Sequence, residues 1–519
     1  MKNQFAVYSL FLLCCLAGFA QSGRKPNVII ILADDLGYGD VSCLNRYAKT
    51  NTPNIDHLAR EAISFSNAHA AGSVCIPSRY GLMTGRHYFR LPKHGEYLGY
   101  LKPLIEQKRE TLGSLLQHAG YVTGCVGKWH LGVNWQIKVP GKPQIPPGAK
   151  NYTNTDFSQP IYQGPNDMGF DYSFILPASL DMPPYVFIQN NKVVDTSIVL
   201  TTDKYPKSLS TTEPLWDKRY TDSNDVYWER GIWWRNGEMS KSFKMEDCLD
   251  SITRQSLAFI TRQADAKSTK PFFLYIALTG PHTPWVPNQQ FKHSSSMGPY
   301  GDFVKQVDNV VGQITGQLAK LRIDKNTLVI FTSDNGAPWS EEDVQYYEHR
   351  ANYPWRGQKG DIYDGGHHIP LFIKWPAVIR QRSASNAPVS LLDMMGTLAD
   401  ATGTQVPAGA GEDSFSFYKT LSQQKNITER RYIIYESSRG TLAIQKDAWK
   451  YIDGLGSGGF TEPYTLKSFS GGHKGQLYNL QTDPAETNDL YSLYPAKVKE
   501  LSSLLQQAKT AKGLREITK

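Results

Sequence analysis

Two acidic clusters carry the first chemical signal. Asp34-Asp35 follows directly on the apolar, β-branched run Asn27–Ala33, and Ser333-Asp334-Asn335-Gly336 follows a second such run. One aspartate after a strand is ordinarily a turn residue or a helix cap. Two such clusters, offering three carboxylates and an amide, instead suit a hard cation held through oxygen, Ca²⁺ ahead of Mg²⁺. The third signal is Cys75-Ile76-Pro77-Ser78-Arg79, which continues through Tyr80-Gly81-Leu82-Met83 to Thr84-Gly85-Arg86. Pro77 fits the first turn of a helix, so Cys75 is expected at a helix N-terminus, facing an anion site. Taken alone, a cysteine there is a structural residue or a simple thiol.

Elements able to position these groups can be read from the apolar runs. Tyr121–Gly127, Phe272–Leu278, Leu328–Thr332 and Ile369–Trp375 repeat the character of Asn27–Ala33. Continuous runs of this kind are strands buried on both faces, which belong to a parallel sheet covered by helices. Helix-like stretches lie between them, at Asn54–Ala62, Thr111–Ala119, Met245–Arg262 and Phe303–Leu321. The alternation predicts an α/β fold, a large mixed and mostly parallel sheet sandwiched by helices, with ligands at the carboxyl ends of its strands. From about Ala408 the texture turns to Gly, Ser and Gln. Short strand-like runs follow at Tyr432–Tyr435, Thr441–Ile444 and Trp449–Ile452, then a helical tail at Pro495–Ala511. A smaller antiparallel α+β unit is expected there. The predicted organisation is a signal peptide over 1–20, a catalytic domain over 21–407 and a C-terminal subdomain over 408–519.

The 519 residues include 40% apolar, 20% charged and 12% aromatic side chains, a globular composition. A formal net charge of +8 favours an anionic partner, while the lack of any Lys/Arg run of five argues against nucleic acid. Lys2, the apolar stretch Phe5–Phe19 and the small residues around Ala20 have the form of a secretion signal, so the mature chain is expected to be exported, periplasmic or secreted. No later segment is apolar enough for a transmembrane span. Of six cysteines, two lie in the signal, leaving Cys43, Cys75, Cys125 and Cys248, too few for a disulfide framework in so long a chain. Lys138–Gln163 reads as a surface loop and Tyr220–Trp234 as an aromatic insertion beside the substrate.

The string from Cys75 to Arg86 closely resembles the signature of type I sulfatases, in which the cysteine is oxidised to Cα-formylglycine. Further motifs resemble the same family: Asp34-Asp35-Leu36-Gly37-Tyr38-Gly39-Asp40, Thr52-Pro53-Asn54-Ile55-Asp56, Gly127-Lys128-Trp129-His130-Leu131-Gly132, Pro281-His282-Thr283-Pro284, Ser333-Asp334-Asn335-Gly336, and Lys359-Gly360 with Tyr363-Asp364-Gly365-Gly366. They span about Pro26 to Pro376, and the tail resembles the family's small C-terminal subdomain. The resemblance implies an alkaline-phosphatase-like fold and a set of roles. Asp34, Asp35, Asp334 and Asn335 would bind Ca²⁺, with the formylglycine at Cys75 completing the shell. One hydroxyl of its hydrate would attack sulfur, the metal lowering that hydroxyl's pKa. Arg79 and Lys128 would hold the diol, His130 would take the second hydroxyl's proton, and Lys359 would clamp a sulfate oxygen. His282 would protonate the leaving alcohol, and Ser179 would lie on the substrate side. Implied partners are a sulfated carbohydrate and a formylglycine-generating maturation enzyme.

In one place the pattern departs. His367-His368 follow Gly365-Gly366, where the family usually shows an Arg one or two places on; subsite specificity is affected, and the two histidines read as a structural pair. A phosphate or phosphonate monoester hydrolase of the same superfamily, and a glycan-binding protein with unmodified Cys75, are the competing readings. Tyr185, Trp228, Trp233, Trp234, Trp285 and Trp355 are candidate sugar-stacking faces. Pro177 to Tyr185 resembles bacterial carbohydrate sulfatases and N-acetylgalactosamine-6-sulfatase-like enzymes, implying a galactose or N-acetylgalactosamine sugar.

Overall fold

The strand Asn27–Asp34 is buried on both sides. Ile29, Ile31 and Ala33 enter one apolar core, while Val28, Ile30 and Leu32 enter another. This is why the run shows no polar alternation. In the computed structural model, which describes residues 25–92, 99–145, 152–205, 234–266, 269–468 and 472–517, this strand lies near the middle of a ten-stranded sheet. Across the sheet the order is Ser383–Ser385, Ile63–Phe65, Leu371–Lys374, Thr327–Ser333, Asn27–Asp34, Phe272–Pro281, Val122–Lys128, Tyr172–Leu176, Ile188–Gln189 and Lys192–Val193. The five strands from Thr327–Ser333 to Tyr172–Leu176 are mutually parallel. Their carboxyl ends therefore share one edge.

Helices Pro53–Arg60, Cys248–Asp265 and Gly298–Lys320 cover one face, and Cys75–Thr84, Leu112–His118 and Met394–Thr402 the other. The mostly parallel, helix-covered sheet expected from the sequence is present. Two strands differ: Ile188–Gln189 runs antiparallel to both its neighbours, and Leu371–Lys374 runs antiparallel to Thr327–Ser333 and to Ile63–Phe65. A run buried on both faces has the same composition in either direction, so its sequence carries no sign of orientation.

Ile433–Glu436, Leu442–Lys446, Trp449–Ile452 and Gln476–Asn479 form a separate antiparallel sheet. One face packs Ile434, Ile444, Tyr451 and Leu477 against Leu501, Leu505 and Ala508 of the helix Pro495–Thr510. The other packs Ile433, Tyr435, Ala443, Ile452 and Tyr478 against Ile362 and Tyr363 of the preceding segment. At that seam the fully buried Lys450 ammonium lies 2.7 Å from Asp364 and 2.8 Å from Glu486. His367 stacks on Tyr435 at 3.8 Å, and His368 stacks on Trp355 at 4.1 Å while lying 3.2 Å from Asp364. Both histidine rings pack within this seam.

Among the described residues no helix is long and apolar enough to cross a membrane. Cys43, Cys75, Cys125 and Cys248 form no disulfide among the described residues. The signal-peptide reading, Trp228, Trp233 and most of the 220–234 insertion lie outside the described residues. Tyr185, Trp234 and Trp285 are at most 1% exposed, so they are core residues and offer no face to a sugar; Trp355 is half-buried.

Two stability predictions follow from buried charge. Lys450→Ala takes the ammonium away from two buried carboxylates, Asp364 and Glu486, and is expected to lower the unfolding free energy by about 3–5 kcal/mol. Urea denaturation measures this, and a loss under about 1 kcal/mol would contradict the seam's ionic character. His87 is fully buried, which holds its pKa at about 3 despite the opposing Asp413 carboxylate. Below about pH 6.5 the unfolded chain takes a proton that the folded His87 refuses, so stability falls as pH drops from there toward 3. In His87→Gln the slope of urea stability against pH should flatten by about one proton over that range; an unchanged slope would contradict this assignment.

Candidate active site

The carboxyl ends of all five parallel strands deliver groups to one place. Asn27–Asp34 ends in Asp34 and Asp35, Thr327–Ser333 leads into Asp334 and Asn335, and Phe272–Pro281 leads into His282. Val122–Lys128 ends in Lys128, with His130 two residues on, and Tyr172–Leu176 leads toward Ser179. Two of these groups sit at turns that demand unusual backbone: Asp35 has φ 66° and His130 has φ 55°. Side chains at positive φ are strained, and such strain concentrates where geometry serves function. Gly127 has φ 107°, and a β-carbon there would lie 1.8 Å from the Ala277 carbonyl oxygen. Only glycine lets the Lys128 strand lie that close to its neighbour.

Cys75 opens the helix Cys75–Thr84, as the sequence predicts. Ser78 Oγ holds the entering turn by donating to the Gly72 carbonyl at 2.7 Å, and Gly85 ends the helix at φ 62°. One turn along from Cys75, Arg79 reaches back across the sheet edge. Its Nε donates to Asp334 at 2.9 Å and one terminal nitrogen lies 2.7 Å from the same carboxylate. That terminal nitrogen is 3.3 Å from Asp34.

Lys128 is the hub. Its Nζ lies 2.9 and 2.8 Å from the two Asp34 oxygens, 3.3 Å from Cys75 Sγ and 3.1 Å from Ser179 Oγ. Burial disfavours the Lys128 charge, but Asp34 reverses the effect and lifts its pKa above the ordinary value. Burial likewise lifts the Asp34 carboxyl, and Lys128, His282 and Arg79 together bring it below the usual range. Burial dominates at Cys75 and pushes its thiol well up, so an unmodified Cys75 is a weak source of thiolate. Lys359 arrives from a loop and donates to Asp35 at 2.7 Å. His282 Nε2 stands 3.6 Å from Asp35, and its ring is 3.4 Å from Ser179 Oγ.

Asp34, Asp35, Asp334, Asn335, Cys75, Arg79, Lys128, Ser179, His282 and Lys359 are thus brought together. His130 is buried at the same edge, its amide donating to the Pro177 carbonyl at 3.1 Å. The sequence reading gave no role to Asp181, which lies 3.9 Å from His282 Nδ1 and accepts from Arg235 at 2.6 Å. Its only signal was a place two residues after Ser179.

A divalent cation fits this donor set. Asp34, Asp35, Cys75 and His282 can offer ligand atoms within 4.8 Å of one another. Among the described residues, Asn335 Oδ1 is buried with no hydrogen-bond partner, although its Nδ2 donates to Asp35 at 2.7 Å. A buried amide oxygen without a partner costs free energy, and a hard cation is the kind of ligand that removes the cost.

Comparisons with known proteins agree with this geometry. Residues 26–404 match the family described as Sulfatase, and residues 355–512 match the N-sulphoglucosamine sulphohydrolase C-terminal family. The chain is 34% identical over 508 residues to an N-acetylgalactosamine-6-O-sulfatase of Bacteroides thetaiotaomicron, covering 94% of each. A solved Bacteroides thetaiotaomicron structure, from work on the metabolism of multiple glycosaminoglycans, superposes with a TM-score of 0.78 at 32% identity, covering 94% of this chain and 100% of that one. The phosphonate monoester hydrolase of Agrobacterium radiobacter shares the fold alone, with a TM-score of 0.59 and 16% identity over 94% of this chain and 96% of that one. The family match, the close relative and the assembled site lead to one conclusion: this chain belongs to the sulfatase family, whose members are sulfuric ester hydrolases.

Proposed function

We propose that this chain hydrolyses sulfate esters of a galactose- or N-acetylgalactosamine-type sugar within a poly- or oligosaccharide, using Cys75 as formylglycine beside a Ca²⁺ held by Asp34, Asp35, Asp334 and Asn335. One observation carries the reading: a single ammonium, Lys128 Nζ, bonds at once to an Asp34 carboxylate, to Cys75 Sγ and to Ser179 Oγ. The nucleophile position, the cation shell and the substrate side thus meet at one buried point. The sugar class rests on the name of the 34%-identical relative.

When bound, Ca²⁺ would supply positive charge to neutralise sulfate oxygens and acidify a nearby hydroxyl. The hydrated formylglycine supplies an oxygen nucleophile in place of the thiol. The remaining roles belong to the chain's own side chains. Arg79 and Lys128 hold the hydroxyls at position 75, and their pairing with Asp34 and Asp334 fixes where those hydroxyls stand. Lys359 presents its ammonium to a sulfate oxygen from the Asp35 side. His282 gives a proton to the leaving sugar oxygen, and the Thr283 carbonyl, 2.6 Å from its Nδ1, orients its ring. His130 takes the proton of the second hydroxyl at position 75, so that the C=O re-forms as the C–O bond to sulfate breaks and sulfate leaves. Export to the periplasm or medium, a boundary near 407–408, and a formylglycine-generating enzyme as maturation partner complete the proposal.

Two measurements test it. Mass spectrometry of the peptide spanning Cys75 should show a loss of about 18 Da from conversion of thiol to aldehyde, and Cys75→Ala should lower sulfate release at least about a thousandfold. An unshifted peptide in fully active protein would overturn the assignment of the nucleophile. Adding Ca²⁺ to chelator-treated protein should raise the melting temperature by mass action, and Asn335→Ala should shrink that rise. No thermal response to Ca²⁺ would remove the metal from the account.

A further inference from the structure

A cavity of about 850 Å³ opens beside the Lys359 loop. Its floor is Ala351, Asn352, Gly357 and Gln358, the last of these the immediate neighbour of Lys359. That floor is tied to both acidic loops: the Ala351 carbonyl accepts from Gly39 N–H, and Asn352 Oδ1 accepts from Ala337 N–H at 2.8 Å. The facing wall comes from the C-terminal unit, through Arg439, Phe460 and Tyr464. Ser438 N–H donates to the Gly360 carbonyl at 2.9 Å, and Phe460 N–H donates to Asp361 at 2.7 Å. The wall is therefore fixed to the same loop that carries Lys359.

The lining states a chemistry. Phe460 and Tyr464 offer aromatic faces, Tyr464 lying under the Arg439 guanidinium at 4.8 Å. Arg350, Arg356 and Arg439 are matched by Glu341, Glu342 and Glu462, so the cavity has no net positive field. That balance disfavours a second sulfate. Planar guanidinium and carboxylate groups bind paired hydroxyls well, and aromatic rings cover the C–H face of a sugar. The volume lies within the range of small-ligand sites.

We infer that this cavity is a second sugar subsite, which holds a neutral residue of the chain next to the sugar that loses its sulfate. The inference rests on the sulfated-sugar reading above and gives the C-terminal unit a part in recognition.

The test compares formylglycine-bearing, full-length protein on a sulfated galactose-type monosaccharide and on the same unit extended by one and two neutral sugars. Extension should raise kcat/KM by about tenfold, mainly through KM. Tyr464→Ala and Arg439→Ala should each remove most of that gain, and a sulfate placed on the added sugar should remove it in the wild type. Equal kcat/KM for all lengths, or a parallel loss on every substrate in both variants, would overturn the subsite. Titration calorimetry with the desulfated oligosaccharide reads the cavity separately. If modified protein turned over no sulfate ester, the sulfatase reading would fail, while binding heat lost in Tyr464→Ala would still support the subsite and absent heat would sink it.

Discussion

Asp34, Asp35 and Asp334 are carboxylates with no solvent exposure, gathered at one edge of a sheet. Buried charges are tolerated only when opposite charges and hydrogen bonds stand against them. Arg79, Lys128 and Lys359 meet that requirement, each within 3 Å of one of the three. The three cations come from a helix, a strand and a loop that are far apart in the chain. Neutralising the acids therefore fixes the relative positions of those elements. The same pairing sets Cys75 beside Lys128, so the electrostatic balance of the acids and the position of Cys75 are one constraint.

Parallel pairing makes the arrangement possible. Five strands running in one direction bring five sets of terminal residues to a single edge, where each loop is free to turn into the site. The C-terminal sheet adds a second layer of control. It packs against Ile362 and Tyr363, a few residues beyond Lys359, and locks that segment through the buried Lys450–Asp364 pair. Lys359 is thus held by a unit that, among the described residues, adds no carboxylate to the acid cluster.

Much of the site was legible because its signals are local. The acidic pairs stand directly after apolar runs, and Cys75 lies within one continuous string ending at Arg86. Other features could not be read locally. Ser179 and His282 are 103 residues apart, and Asp181 and Arg235 are 54 apart; nothing in either neighbourhood announces the contact. Leu371–Lys374 shows its burial but not its direction. Trp285 and Trp234 looked like sugar platforms, yet both are core residues, because an aromatic ring reads the same beside a substrate or inside a protein. The pair His367-His368 departs from the family's usual Arg, and the fold explains it: both rings stack on aromatic neighbours within the seam that carries the Lys359 segment.

The central claim is that this charge-balanced edge cleaves sulfate from sugars. It is tested most directly by assaying one preparation on matched panels of sulfated and phosphorylated galactose-type sugars and measuring the inorganic anion released. The account predicts sulfate release, with phosphate release lower by several orders of magnitude. Turnover confined to the phosphate esters would contradict it.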